Sequence, residues 1–149
     1  MTDPSYDEVS AYHEAGHVVF AYLFNIPVKC VTIKKTPCFR YTYYGMLKII
    51  FKKRVARIIL AAGLFVQQKY FPLVNDSRDG QTDKKRFDLI SKRDPAFNLS
   101  EAKSVLDKHF EDPVIRYKIE ILSHELLKER TLNGDKIKKI LDAAVLQNS

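Results

Sequence analysis

The stretch from Ser5 to Pro27 constrains the fold most, because its pattern predicts one long helix. Ser5 and Glu8 form a capping box, with Ser5 as the N-cap residue and Glu8 at the third helical position. Asn25 tolerates the left-handed conformation in which many helices end, and Pro27 stops the helix. We therefore expect a helix over about residues 5–25.

This helix carries two histidines on the stripe that faces the core. The 3.6-residue period places six residues on that face: Val9, His13, Gly16, His17, Phe20 and Phe24. Imidazoles there would be costly unless hydrogen bonds or a metal satisfied them. Histidines four residues apart face the same way and can share a zinc ion. The sequence therefore predicts His13 and His17 as zinc ligands.

The segment from His13 to His17 is an H-E-x-x-H motif. A catalytic zinc site uses three protein ligands and keeps one position for water. Glu14 follows the first histidine, where zincins place the general base. Chance is the competing explanation, since so short a motif arises in roughly one random chain in a hundred or fewer, and many matches bind nothing.

The two imidazoles leave such a site one protein ligand short. The polar loop after the second long helix is the best source, because it concentrates four aspartates near one helix start: Asp76, Asp79, Asp83 and Asp88. His109 and His124 are alternatives without an acidic residue that would partner them, and we expect both to be surface or hydrogen-bonded helix residues. Cys30 and Cys38 would favour a sulfur-rich structural site, and their spacing predicts two free thiols instead.

The rest of the chain predicts a mainly α fold with one small β-hairpin or sheet. We expect a single domain over residues 1–149, with a β element at about 28–51, where β-branched residues are dense. Helices are expected at about 52–71, 83–93, 100–110, 113–130 and 135–146.

Three local details accompany these helices. Ser100 is predicted to cap the helix at 100–110, and Asp112 with Pro113 to begin the next. Leu132 to Gly134 reads as a turn. The helix at 113–130 is expected to turn five residues inward: Val114, Tyr117, Ile121, Leu122 and Leu126.

Composition limits the class of protein. A hydrophobic content of 46% with 29% charged residues is ordinary for a soluble globular chain. The first residues lack a signal peptide pattern, and the longest apolar run, Ile58 to Val66, is too short to span a bilayer. We expect a cytoplasmic protein with no membrane span. The net charge of +7 sits in local lysine and arginine clusters without a nucleic-acid motif, so we expect no nucleic-acid partner.

Two distant segments carry a family resemblance. Val9 to His17 reads V-S-A-Y-H-E-A-G-H, and Leu126 to Ile137 reads L-L-K-E-R-T-L-N-G-D-K-I. Both resemble the peptidase domain of the FtsH-type ATP-dependent zinc metalloproteases, with its V-A-x-H-E-A-G-H motif and its closing L-L-x-x-x-T-L-x-G-x-x-I segment. The family's G-G-x-A-A-E helix segment reads Ala62 to Gln67 here, without its glutamate, and its S-T-G-A-x-N-D segment is only loosely kept as Asp79 to Asp83.

The resemblance implies a helical zincin-type peptidase domain with zinc as its cofactor. It places the third ligand shortly after a glycine, which points to Asp83 after Gly80, with Asp79 next and Asp76 and Asp88 behind them. Asp83 also shares a helix face with Phe87. The alternative is that its carboxylate only stabilises the helix N-terminus through the dipole, an effect worth well under the contribution of a metal ligand. The resemblance further implies a ring-shaped homo-oligomer and a AAA+ ATPase partner. No Walker A pattern occurs, so that ATPase would be a separate chain.

Two functions follow as expectations. The first is a zinc metalloendopeptidase that hydrolyses unfolded polypeptides through a zinc-activated water, with Glu14 as general base. The second is a catalytically silent FtsH-like zinc-binding adaptor or interaction module, motivated by the missing ATPase. For substrate binding, the edge at Tyr41 to Met46 could pair with an extended peptide, so Tyr43 and Tyr44 are candidate substrate-binding residues. Plain hairpin packing of these aromatic rings is the alternative.

Overall fold

The structure is a computed structural model that describes residues 4–34, 38–41, 53–74, 84, 85, 87–89, 92 and 98–145. Its elements in chain order are α1 (Tyr6–Leu23), β1 (Val28–Thr32), β2 (Cys38–Tyr41), α2 (Lys53–Tyr70), α3 (Leu99–Phe110), α4 (Pro113–Glu129), β3 (Thr131–Asn133) and α5 (Gly134–Ala143). Residues 84, 85, 87–89 and 92 are also helical, within the predicted helix at 83–93. The expectation of a mainly α fold with a small sheet is confirmed.

The ends of α1 follow their sequence signals. The Ser5 side chain accepts a hydrogen bond of 3.1 Å from the backbone N–H of Glu8, as the capping box predicts. Asn25 has a φ of 60°, which is the left-handed conformation expected beyond the helix end. Local side chains therefore determine where this helix begins and ends.

Helix α1 is the central helix rather than an amphipathic one. We predicted a single core-facing stripe, but apart from the half-buried Tyr12 every residue from Val9 to Ala21 is buried. The reason is tertiary: α1 packs against both α2 and α4 and also against β1 and β2. The polar residues in this central part of α1, which are Ser10, His13, Glu14 and His17, are consequently enclosed whichever way they point.

The sheet has three strands in the order β2-β1-β3, all antiparallel to their neighbours. The β1–β2 pair confirms the predicted hairpin, with Val31 opposite Phe39. The predicted turn at Leu132 to Gly134 is wrong, because Leu132 lies in β3 opposite Val31. Pairing with the second edge of β1 satisfies the backbone groups of this short segment and buries the Leu132 side chain.

Two helix details also differ from expectation. The N-cap of α3 is Asn98, which accepts from the Glu101 N–H at 3.0 Å, so the predicted Ser100 cap is wrong by two residues. Asn98 offers an equivalent oxygen earlier in the chain. The cap of α4 is Asp112, as predicted, with a bond of 2.9 Å from the Val114 N–H.

The inward face of α4 is rotated by about one residue from the predicted stripe. Leu122 and Leu126 are buried as expected, whereas Val114, Tyr117 and Ile121 are only half-buried. Ile115 and Ile119 fill the core in their place. The rotation lets the α4 residue Lys118 donate hydrogen bonds to the carbonyls of Leu141 and Ala144 at the end of α5.

Cys30 on β1 carries a free thiol, as expected. The predicted turn around Pro37 and the candidate substrate residues Tyr43 and Tyr44 lie outside the described residues. No helix within the described ranges is long and apolar enough to cross a membrane.

Candidate metal centre

The two histidines of the motif point their Nε2 atoms at each other. The His13 Nε2 and His17 Nε2 atoms lie 3.1 Å apart, and the two rings meet nearly edge-on. The ligand atoms of His13, Glu14 and His17 all lie within 4.8 Å of one another. All three side chains are almost completely enclosed, with exposures of 1%, 3% and 1%. The helical spacing thus brings three potential ligand groups to one buried point.

The opposite side of each imidazole is anchored on α2. His17 Nδ1 lies 2.7 Å from the backbone oxygen of Ile59, and His13 Nδ1 lies 3.0 Å from Gln67 Oε1. Because a carbonyl oxygen can only accept, each Nδ1 is the donor in this arrangement. A neutral imidazole with its proton on Nδ1 offers the lone pair of Nε2 to a metal. Both rings therefore present the nitrogen that faces the shared space.

The anchoring residues repeat every four positions along α2. Ile59, Gly63 and Gln67 lie on one face of the helix, since residues four apart are neighbours there. The later histidine contacts the earlier residue of α2, so the two helices run antiparallel across the site. One face of α2 therefore contacts both rings.

Gly63 lies opposite the space between the two imidazoles. A methyl group at this position would lie 2.7 Å from His13 Nε2 and still closer to His17 Nε2. That distance is shorter than any ordinary contact of a carbon atom with a ring nitrogen. Only glycine at position 63 leaves room beside the two facing nitrogens.

A second glycine, Gly16, brings the helices together. A methyl group at Gly16 would lie 2.8 Å from the backbone oxygen of Ala62 and 2.9 Å from Val66 Cγ2. Helix backbones can approach this closely only where one of them lacks a side chain. The glycine in the H-E-A-G-H sequence therefore has a packing role that is separate from the ligands.

The histidine pair fits a zinc ion. Two nitrogen ligands at ~2.0–2.1 Å in a tetrahedral arrangement stand about 3.3 Å apart. The observed separation of 3.1 Å between the Nε2 atoms is close to that value. Imidazole nitrogens backed by hydrogen-bonded Nδ1–H groups are also the donors that zinc sites use. The geometry and the chemistry of this donor set both suit zinc.

Of the four aspartates predicted as possible third zinc ligands, the structure describes only Asp88. Asp88 is exposed beside a cavity between α2 and α3 and is not part of the His13, Glu14 and His17 group. The other three candidate ligands, Asp76, Asp79 and Asp83, lie outside the described residues. Their assignment stays a prediction.

The other two histidines stand apart from the motif. His109 packs edge-on against Phe20 and Phe24, and His124 is exposed on α4. Neither belongs to the group of potential metal ligands. The exposed position of His124 agrees with the expectation of a surface or hydrogen-bonded helix residue, whereas His109 is half-buried against two phenylalanine rings.

Sequence reasoning missed the contribution of α2. From the sequence, Gly63 and Gln67 were noted only as positions in a segment that matches the family weakly. A usable signal was present, because Gln67 interrupts an apolar stripe and stands four residues after a glycine. The Ile59 carbonyl had no signal at all, since every residue carries a backbone oxygen.

A scan against models of known protein families finds no match for this chain, and a search of curated proteins finds none either.

Proposed function

We propose that this chain is a zinc metalloendopeptidase of the FtsH peptidase type that acts on unfolded polypeptides. One observation carries the proposal: the Nε2 atoms of His13 and His17 converge to 3.1 Å while both Nδ1 atoms are tied to α2 and Glu14 is enclosed beside them. An imidazole pair that served packing alone would need neither convergence nor an adjacent buried acid.

His13 and His17 would hold the zinc ion, with Asp83 proposed as the third protein ligand. Zinc, when bound, supplies a Lewis acid that polarises a carbonyl and lowers the pKa of water to about 7. The Glu14 carboxylate accepts a proton from the water that attacks the peptide carbonyl. It then delivers that proton to the leaving amine nitrogen, so the reaction consumes one water molecule and breaks one C–N bond.

Burial strengthens this chemistry. Charges act more strongly on each other where water is excluded, so a carboxylate enclosed beside the imidazoles has a larger effect than one on the surface. The proposal extends to the cytoplasm as compartment, a AAA+ ATPase partner that unfolds the substrate, a homo-oligomeric assembly, and Tyr43 and Tyr44 as substrate contacts. All four extensions rest on the sequence.

The proposal is tested by exchanging Glu14 for glutamine. We expect wild type and Glu14→Gln to bind one equivalent of zinc, and only wild type to cleave unfolded casein. Glu8→Gln is the matched control, because Glu8 is an exposed acid on the same helix, and it should cleave at the wild-type rate. Casein cleavage at the wild-type rate by Glu14→Gln would contradict the mechanism.

In the same metal analysis, Asp83→Ala should lose far more zinc than Asp79→Ala.

A zinc-binding adaptor without activity is the second candidate, and the enclosure of the three side chains favours it. Structural zinc sites are closed, whereas catalytic ones keep a position for water. Under this alternative the protein binds zinc, cleaves no polypeptide, and unfolds when a chelator removes the metal. The Glu14→Gln exchange would then have no effect on any measured activity.

A further inference from the structure

We propose that Gln67 is the positioning residue that orients His13 for metal binding, an inference that rests on the proposed zinc site. Its side-chain oxygen Oε1 lies 3.0 Å from His13 Nδ1, and the residue is 1% exposed. Gln67 would touch neither the metal nor the substrate. Its effect would reach the metal only through the imidazole of His13.

The two rings depend on different kinds of anchor. His17 is held by the backbone oxygen of Ile59, which every substitution leaves in place. His13 is held by a side chain, and a single substitution can remove that acceptor. The orientation of His13 therefore depends on which side chain stands at position 67 of α2, whereas the anchor of His17 does not depend on a side chain.

Burial explains why the anchor is specific. An amide enclosed in an apolar core is costly unless it forms hydrogen bonds, so a glutamine facing the core needs partners there. Gln67 stands one turn after Gly63, which leaves the space beside the facing Nε2 atoms open. The same helix face thus provides the space beside the nitrogens and fixes the ring that borders it.

The amide oxygen also sets the protonation pattern of His13. An oxygen that faces Nδ1 requires the proton on Nδ1 and leaves Nε2 as the electron-pair donor. An amide turned the other way would place its NH₂ group against Nδ1 and the ring proton on Nε2, where it would block a metal. The orientation of the Gln67 amide therefore predicts which nitrogen of His13 carries the proton even in the metal-free protein.

Zinc affinity of three variants provides the first test. Gln67→Met keeps the approximate size of the side chain but cannot accept a strong hydrogen bond, whereas Gln67→Glu keeps an acceptor. Gln68→Met is the matched control, since Gln68 is the exposed neighbour on the same helix. We expect a loss of zinc affinity of about 10- to 100-fold for Gln67→Met, with affinity at least equal to wild type for Gln67→Glu. The control should bind zinc like wild type.

Cobalt substitution separates positioning from general damage to the fold. The visible absorption bands of bound Co²⁺ report ligand geometry, so they should shift in Gln67→Met and stay unchanged in Gln68→Met. Unchanged bands together with wild-type zinc affinity in Gln67→Met would overturn the inference.

Imidazole nitrogen NMR on the metal-free protein tests the inference independently of zinc. We expect a proton on His13 Nδ1 that exchanges slowly with solvent in wild type and rapidly in Gln67→Met. A wild-type His13 with its proton only on Nε2 would refute the role of Gln67. If wild type binds no zinc at all, the proposed function fails, while the NMR result still decides whether Gln67 orients His13.

Discussion

Gly63 shows how a missing side chain can define a site. Its α-carbon lies opposite the converging Nε2 atoms of His13 and His17, and any β-carbon would enter the space beside them. In most helix interiors alanine is preferred over glycine by about 1 kcal/mol. Glycine at position 63 therefore lowers the helix propensity of α2, but it leaves room beside the two imidazoles.

The corresponding prediction is that Gly63→Ala impairs metal binding. The added methyl group would lie 2.7 Å from His13 Nε2, so the rings must move apart and lose their shared geometry. We expect zinc affinity to fall by at least tenfold, on the order of 1.4 kcal/mol, measured by competition with a chelator. Ala61→Ser adds one heavy atom elsewhere on α2, beside the cavity, and should leave affinity unchanged. Zinc binding by Gly63→Ala at wild-type strength would show that the facing nitrogens do not form the site.

At the level of elements, the α1–α2 pair carries the site because its helices lie so close. The contact centres on Gly16, where α1 approaches the Ala62 carbonyl and the Val66 side chain of α2. The Ile59 oxygen can reach His17 only at this separation of the helices. Packing and ligand orientation are therefore coupled through the same pair of helices.

This coupling predicts the sign of a stability change. At an ordinary helical site, Gly→Ala raises the free energy of unfolding by roughly 0.5–1 kcal/mol. In Gly16→Ala the new methyl group would lie 2.8 Å from a backbone oxygen, which cannot turn aside as a side chain can. We expect a loss of about 1–3 kcal/mol from this overpacking, measured by urea unfolding of the metal-free protein. An increase in stability would mean that the two helices are not in close contact at Gly16.

On the scale of the whole molecule, tyrosines connect the central helix to its neighbours. The Tyr70 hydroxyl at the end of α2 donates a hydrogen bond of 3.1 Å to Glu120 on α4, and its ring lies 4.5 Å from that of Tyr12. Burial, followed by the negative charge of Glu120, raises the pKa of Tyr70 well above its usual range. The pKa of Tyr12 is raised by the same two causes.

These raised pKa values predict a loss of stability at high pH. A tyrosine whose folded pKa lies above its unfolded value of 10.0 holds its proton more tightly in the folded state. The stabilisation is therefore complete below pH 10 and declines as the pH rises past that value. We expect the free energy of unfolding to fall as the pH rises above 10, and to fall less in Tyr70→Phe. Tyr6→Phe, at an exposed position on α1, is the control and should follow wild type. An identical decline in Tyr70→Phe would assign the effect to other groups.

The sequence by itself determined the features that depend on near neighbours in the chain. The capping box at Ser5 and the cap at Asp112 act within three residues, so their patterns marked the starts of α1 and α4 correctly. His13 and His17 lie on the same face of α1 because they are four residues apart within one helix. The predicted β1–β2 hairpin likewise depends on adjacent segments.

Only the tertiary structure decided the features that join distant segments. Leu132 became part of a strand because β1 offered it an unpaired edge, although its local sequence favours a turn. Gln67 meets His13 across 54 residues, and Ile59 meets His17 across 42. Periodicity states which face of a helix is apolar, but it does not state which residue of another helix will lie opposite. That pairing arises from the close approach of α1 and α2 at Gly16, a property of the packed pair and of neither helix alone.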